Sequence, residues 1–394
     1  MRVAWNALFL GQESTGSGQY TQELLRALAQ LDSENEYLLY TVWKPGVFSQ
    51  PSLWPLRALR TPFTSLSDNL AKLWFEQVSL ARACRSVSVD LCHVPYFASP
   101  LCPTVPTVVT VHDLIPMLLP LYRGSVLVRL YTRLVAAAAR RADCIITDSL
   151  HSKGDIVKHL CVPAQRVHVI YLAAHPACRP IEDENVLAAT RGKYGLPPRY
   201  ILYLGGFDQR KNLSALLQAY ARLCKSLGDG APALVVAGRL PPGDTPLFPD
   251  PKRMATELGI AHRVVFTGWV AEEDKPALYS GALFFTFLSL YEGFGLMPLE
   301  AMSCGTPVLV ANTSSLPEIV GSGGVLVDAN NLDQIAEQMV VLVRDTALRQ
   351  RLAQDALSQA ARFDWRDTAE RTLRIYNLAA GKQELTPAPD SLTA

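Results

Sequence analysis

No two of the chain's eight cysteines, at 84, 92, 102, 144, 161, 178, 224 and 304, are spaced C-x-x-C. That absence excludes a zinc knuckle and a thioredoxin-type redox motif, and scattered single cysteines suit a reducing cytosol. A dominant charge of one sign is also missing. Lys and Arg number 37 against 36 for Asp and Glu, so the net charge is +1 and no overall field draws in nucleic acid or anionic lipid. Long hydrophobic runs are missing too. Residues 276–291 are uncharged but number only 16 and include Gly281 and two serines, short of a membrane span. The uncharged run 91–112 carries four prolines and cannot be one helix. The opening MRVAWNALFLGQ has one basic residue, a short apolar run and no small-residue cleavage site, so it reads as a buried first strand and not as a leader.

What is present is alternation. At 394 residues the chain is long for one core and comfortable for two domains. In the first half RVAWNALF reads as a strand, 20–31 as a helix and 37–42 as a strand. TVVTVH follows, then a helix with Arg129, Arg133, Arg140 and Arg141, then the strand CIITDS. In the second half YILYLGG is a strand, 213–226 a helix, and ALVVAGRL, RVVFTGWV, ALFFTFLSL, TPVLVAN and GGVLVDA are strands, each with helical text beside it. Short apolar runs separated by helices imply parallel sheets covered on both faces, and two such sets imply two doubly wound α/β domains. The join falls within 174–198, where prolines cluster around the charged EDEN.

In open parallel sheets ligands bind beyond the carboxyl ends of the strands, so the loops there are the candidate site loops. After the first strand, GQESTGSGQYTQELL places Gly11, Gly16 and Gly18 ahead of a helix whose free N–H groups favour an anion; the same text also fits a plain turn. VHDLIP puts His112 and Asp113 at a strand end, where a lone histidine is usually structural. LGGFDQRKNLSALLQAY sets Arg210 and Lys211 after Gly205 and Gly206 and before a helix, an arrangement suited to a diphosphate or to a solvated loop.

The stretch SLYEGFGLMPLEAMSCGTPVLV carries two glutamates, Glu292 and Glu300, eight residues apart. Glu292 follows the strand ALFFTFLSL, and Gly293 and Gly295 let the backbone approach a ligand closely. Pro298 fits the first position of a short helix and Gly305 its C′ position, so Glu300 falls in the first turn, where a carboxylate is favoured. The N–H groups of Phe294, Gly295 and Leu296 then face the same crevice, suited to phosphate oxygens. The alternative is an exposed turn at Glu292 and a helix-dipole residue at Glu300.

Read together, these segments resemble the retaining glycosyltransferases of family 4. The resemblance spans nearly the whole chain and includes GSGQYTQELLRAL, VHDLIP, TDSLHSKGDIVKHL, LGGFDQRKNLSALLQAY, VFTGWVAEEDKPALYSGA, the Glu-x7-Glu stretch, SSLPEIVGSGGVLVDANN and FDWRDTAERTLRIYN, in that order. It implies the GT-B fold, two Rossmann-like domains facing a central crevice. An acceptor-side domain would span 1–180 and a nucleotide-sugar-binding domain 190–362, with a helix at about 365–380 packing back onto the first. It implies that Lys211, with Arg210 beside it, holds a diphosphate, that Glu292 contacts the donor sugar's hydroxyls and Glu300 the ribose. His112 would meet the donor sugar, and Gly16 and Gly18 would close over the donor phosphates. No D-x-D triplet occurs, which fits transfer without a metal or other cofactor, the nucleotide diphospho-sugar being a substrate. Many relatives carry an arginine where this chain has glycine after YILYL, which shifts the diphosphate onto Arg210 and Lys211.

VHDLIP followed by a proline-rich apolar run resembles the mannosyl- and rhamnosyltransferase branch of bacterial polysaccharide synthesis, so GDP-mannose is the expected donor, ahead of UDP- or dTDP-sugars. The expected acceptor is a glycan or a lipid-linked glycan, and the expected location is the cytoplasm, at the inner face of the membrane if LWPLRALR and SVLVRLYTRLVAAAARR touch lipid. The alternative is a helix packed on its sheet with arginines in water. Competing readings are a GT-B-like nucleotide-sugar epimerase, a glycogen- or sucrose-type synthase, or a non-catalytic subunit that binds a nucleotide sugar.

Overall fold

The computed structural model describes residues 1–12, 15–43 and 54–382. Glu13 and Ser14 of the glycine-rich loop, and Leu53 at the start of LWPLRALR, lie outside the described residues. The chain divides into two compact units. One comprises Met1–Asp148, Ser152–Tyr171 and the chain from Trp365 onward; the other comprises Ser149–His151 and Leu172–Asp364.

Among the described residues the first unit holds a seven-stranded sheet. Its strands are β1 (Arg2–Asn6), β2 (Glu36–Val42), β3 (Leu56–Leu59), β4 (Leu91–Val94), β5 (Thr107–Thr110), β6 (Cys144–Thr147) and β7 (Val167–Val169). Their order is β3-β2-β1-β4-β5-β6-β7, parallel throughout. Three of these were not read from the sequence. β3 is half-exposed and has no apolar alternation, β4 hides in the proline-rich run, and β7 is only three residues long.

The helix after β1 runs Gly16–Leu31, starting four residues earlier than the sequence predicts. Thr15 caps it, its Oγ1 accepting from Gly18 N at 3.1 Å, so Gly16 and Gly18 lie inside the first turn and do not precede it. Gly18 is there for space: a Cβ would come within 2.1 Å of the Gln12 carbonyl oxygen. The helix expected to carry four arginines is Val126–Ala139; Arg140 and Arg141 lie just past its end.

The helix Trp365–Ala379 belongs to this unit and packs on the helix Gly16–Leu31. Its Tyr376 hydroxyl accepts from Trp5 Nε1 at 3.0 Å and pairs with His93 Nδ1 at 2.7 Å, while His93 Nε2 reaches Thr110 Oγ1 at 2.9 Å. All four side chains are buried, so the network pins strands β1, β4 and β5 to the last helix. Burial pushes His93 down to about 3, which keeps this imidazole neutral.

The second unit holds a six-stranded sheet of β8 (Tyr200–Leu204), β9 (Ala233–Ala237), β10 (Val264–Gly268), β11 (Phe284–Phe287), β12 (Val308–Ala311) and β13 (Gly324–Val327). All are parallel, in the order β10-β9-β8-β11-β12-β13. All six strands fall where the apolar runs placed them. β8, β11 and β12 are buried along their whole length, as strands covered on both faces must be. The strand order reverses between β8 and β11, so the loops leaving these two neighbours flank the switch point where open α/β sheets hold ligands. In the first sheet the same point lies between β1 and β4.

Candidate active site

The loop after β8 closes in a single 3-10 turn, Gln209–Lys211, and Asn212 in the left-handed conformation opens the helix Leu213–Leu227. The loop after β11 lies against it. Leu290 N donates to the Arg210 carbonyl at 2.8 Å and Ser289 Oγ donates to the same oxygen at 3.2 Å. This tie brings the two predicted cations onto the first predicted carboxylate. Lys211 Nζ lies 2.7 Å and Arg210 Nη1 2.8 Å from the same oxygen, Oε1 of Glu292. Arg210 also donates to the Tyr291 carbonyl at 2.6 Å and lies 3.4 Å from Asp208. Lys211 is buried, with its ammonium 4.8 Å from the centre of the Phe287 ring on β11.

Neither alternative from the sequence fits. The cations are not in a solvated loop, and Glu292 is not an exposed turn residue; its side chain is only 13% accessible. Burial alone would raise the Glu292 carboxyl, but the charges of Lys211 and then Arg210 outweigh it and hold the group below the ordinary glutamate range.

This shift has a sign. A carboxyl lowered on folding contributes stability that is fully present above its unfolded value, 4.5, and is lost as pH falls through the lower folded value. Wild type is therefore expected to be more stable than Glu292→Gln at neutral pH, with the gap closing as pH falls below 4.5. Urea denaturation of both proteins across that range checks it; a gap independent of pH would show that the carboxylate charge is not what the cations hold.

Backbone geometry positions the rest of the stretch. Glu292 N donates to Ser314 Oγ at 2.9 Å, and Ser315 Oγ donates to the carbonyls of Glu292 at 3.0 Å and Phe294 at 2.6 Å. Gly293 and Gly295 are buried, and Gly295, with φ of 126°, turns the chain directly into the helix Leu296–Ser303. The Phe294 ring packs edge-on against Phe363, 5.9 Å away, so this residue has only its backbone to offer a ligand.

Because Gly295 itself is the N-cap, the helix starts two residues before the position the sequence predicts. Leu296 opens it, Pro298 is its third residue and not its first, and Glu300 is its fifth, in the second turn. The helix-dipole reading of Glu300 fails with that shift. Glu300 is buried and accepts from the Tyr279 hydroxyl at 3.0 Å. Desolvation raises its carboxyl above the usual range, with Lys275 pulling the other way. The two glutamates thus answer to different elements, Glu292 to the turn at 210–211 and Glu300 to the helix Lys275–Ser280.

In the first unit His112 lies two residues past the end of β5. Its Nδ1 is 2.7 Å from Asp148 Oδ2 and its Nε2 3.2 Å from the Pro95 carbonyl. Burial disfavours its charged form, but Asp148 outweighs burial and raises the imidazole. The Tyr20 ring stands edge-on to it at 4.9 Å.

Two parallel doubly wound sheets, with paired cations facing a carboxylate at the switch point of the second, agree with what the chain is similar to. Residues 14–176 match the family model described as Glycosyltransferase Family 4, and residues 189–359 match Glycosyl transferases group 1. O-antigen chain mannosyltransferase B of Escherichia coli is 34% identical over 272 residues, covering 69% of this chain and 70% of that protein. The chain belongs to glycosyltransferase family 4.

The serotype-specific mannosyltransferase WbdA of Escherichia coli is 32% identical over 293 residues, which are 73% of this chain but 36% of that protein. HepE of Anabaena, solved in complex with UDP-glucose, superposes with a TM-score of 0.72 at 18% identity over 96% of this chain and 100% of that one, a likeness of fold. The family 4 enzyme described here is therefore a GT-B hexosyltransferase. Among the described residues no group of three or more His, Cys, Asp and Glu side chains is placed to hold a metal ion, and no helix is long and apolar enough to cross a membrane.

Sequence reading missed the partners that orient these groups. Tyr279, Ser314, Ser315 and Asp148 all lie in segments that carried the family resemblance, PALYSGA, SSLPEIV and TDSLHS. Nothing in those strings distinguishes an orienting hydroxyl from a solvent-facing one.

Proposed function

We propose that the protein transfers mannose from GDP-mannose to a glycan or lipid-linked acceptor, with retention of anomeric configuration and without a metal ion. The observation that carries this reading is the convergence of Arg210 and Lys211 on Glu292 at the switch point between β8 and β11. A diphosphate leaving group gains negative charge as its bond to the anomeric carbon breaks. The buried Lys211 and the half-buried Arg210, at a helix-opening turn, are preorganised for that charge. Glu292, freed from part of this pairing when phosphate arrives, accepts from the sugar's hydroxyls.

Its lowered pKa makes Glu292 a weak base and a weak nucleophile. The balanced step that suits such a site is attack on the sugar's leaving-group face. The acceptor oxygen bonds to the anomeric carbon, the carbon–phosphate oxygen bond breaks, and the acceptor's proton passes to the departing diphosphate. Mannose is supported by the two mannosyltransferase relatives at 34% and 32% identity. An acceptor-side role for the first unit and a cytoplasmic location belong to the same reading.

The test is a panel of GDP-mannose, UDP-glucose and dTDP-rhamnose, each incubated with the protein in excess EDTA. GDP-mannose should raise the melting temperature most and slowly release GDP without acceptor. Activity abolished by EDTA and restored by manganese would overturn metal independence, a larger shift with UDP-glucose would overturn the donor, and no release from any donor would favour a non-catalytic binding subunit.

A further inference from the structure

Strands β5 and β6 are tied together at their carboxyl ends, where His112 lies. Val111 N donates to the Ile146 carbonyl at 2.8 Å, Thr147 Oγ1 donates to the Val111 carbonyl at 2.8 Å, and Ser152 Oγ donates to the His112 carbonyl at 3.1 Å. These bonds hold the loop after β5 against the chain after β6 and set Asp148, the first residue past β6, beside the imidazole. The His112 side chain is 20% accessible and that of Asp148 only 2%. One oxygen of this carboxylate, Oδ2, faces His112 Nδ1; the other, Oδ1, is buried with no hydrogen-bond partner.

Both ring nitrogens of His112 meet oxygen acceptors. Asp148 Oδ2 lies 2.7 Å from Nδ1, and the Pro95 carbonyl, 3.2 Å from Nε2, has no proton to give. A neutral imidazole carries one N–H and can satisfy only one ionised or carbonyl oxygen; the imidazolium satisfies both. The ordinary pKa values, about 3.9 for aspartate and about 6.5 for histidine, place the proton shared with Asp148 on the ring. The carboxylate favours the same form, because a buried charge with one oxygen unbonded needs a counter-charge at contact distance. The other titratable groups around the ring do not compete for that role. Burial raises the Tyr20 phenol, on the helix Gly16–Leu31, so it keeps its proton; His93 on β4 is neutral; and Asp113, next in the chain, adds a second negative charge.

We propose that Asp148 is a positioning residue for the transfer reaction: it locks His112 as a doubly protonated imidazolium, whose Nε2–H passes from the Pro95 carbonyl to a hydroxyl oxygen of the transferred sugar. The Pro95 contact is the longer of the two and the one that exchanges. Nδ1–H stays with Asp148, so the ring keeps its orientation while the exchange is made. A charged N–H makes a shorter and stronger hydrogen bond than a neutral one, and it cannot switch to the tautomer that would present a lone pair to the sugar. Asp148 outweighs burial in raising the imidazole, so turnover follows the charged ring and falls as pH rises through that raised value. This role rests on the transferase reading, with His112 at the donor sugar; the charge state of the ring does not.

Two measurements on the full chain test it. The first needs no substrate: NMR titration of histidine-labelled protein, with the His112 signal identified by its loss in His112→Gln. The wild-type ring should titrate above the ordinary 6.5, with both nitrogens protonated below its midpoint. Asp148→Asn should lower that midpoint by about one unit or more. The asparagine keeps the shape of the side chain and can still accept from Nδ1–H, so the fold should survive, which a melting curve checks. A wild-type midpoint below 6.5 would put the shared proton on Asp148 and overturn the proposal. The second measurement is release of GDP from GDP-mannose at saturating donor, between about pH 5 and about pH 9. Asp148→Asn should lose about tenfold in turnover at neutral pH and regain most of it toward the acid end. A loss equal at every pH is what a merely structural carboxylate produces, and it overturns the role. Release from no donor at any pH overturns the transferase reading and this role with it, whereas a neutral ring in an active enzyme overturns this role alone.

Discussion

Replacing Lys211 with alanine is expected to lower turnover by about 10²–10³-fold, the usual cost of removing one preorganised contact to a charge that develops in the transition state. Three observations combine in that figure. The ammonium is buried, held 2.7 Å from the Glu292 carboxylate, and backed by the Phe287 ring. A charge fixed in this way needs no reorganisation as the diphosphate departs, and the low-dielectric surroundings strengthen its effect. Because the leaving charge grows along the reaction, the loss should appear in turnover at saturating donor more than in donor affinity. Arg210 still holds Glu292 at 2.8 Å in the variant, so the carboxylate is not left without a counter-charge and the fold should survive. A melting curve beside the kinetics checks this. Turnover within a few-fold of wild type would move the role to Arg210 or to backbone amides.

The second large effect separates the two glutamates. Glu292→Gln should lower turnover at saturating donor by about 10²-fold, because it removes both a contact to the transferred sugar and the charge that orients two cations. Glu300→Gln should instead weaken nucleoside diphosphate binding and leave turnover at saturation nearly unchanged. A contact to the ribose is made equally in ground and transition states. The glutamine can still accept from Tyr279, so the substitution is local. Donor-dependent kinetics and nucleoside diphosphate affinity for both variants decide it. The reverse pattern would exchange the two roles, and two wild-type variants would remove the stretch from the donor site.

Most of this arrangement could be read from the sequence because parallel strands announce themselves. A segment such as YILYL, buried on both faces, can only be apolar, and six such runs mark out the second sheet. The first sheet was harder because its edge strands owe less to burial. Leu56–Leu59 is a strand by pairing with β2, not by its side chains. At the site, residue types revealed which groups matter but not what holds them. That Lys211 and Arg210 share one oxygen of Glu292 depends on the Leu290–Arg210 backbone bond, which no side-chain pattern encodes. The Glu300 misplacement has a similar origin. Proline was given the first helical position, but Gly295 could cap the helix earlier because only glycine takes φ of 126° without strain.

The return of the helix Trp365–Ala379 to the first unit has a consequence for how the protein is made. On the ribosome, Tyr171 ends the main body of that unit, but the hydroxyl that completes its buried network belongs to Tyr376. About 200 residues separate the two, so at about 5–20 residues per second the nascent first unit waits roughly 10–40 s with Trp5 Nε1 and His93 Nδ1 without their Tyr376 partner. The second unit, whose six strands are contiguous in the chain, has no such delay and can finish before the unit that precedes it. Vectorial synthesis and completion of the cores therefore run in opposite orders, and the early half is the one left incomplete until the last helix is made.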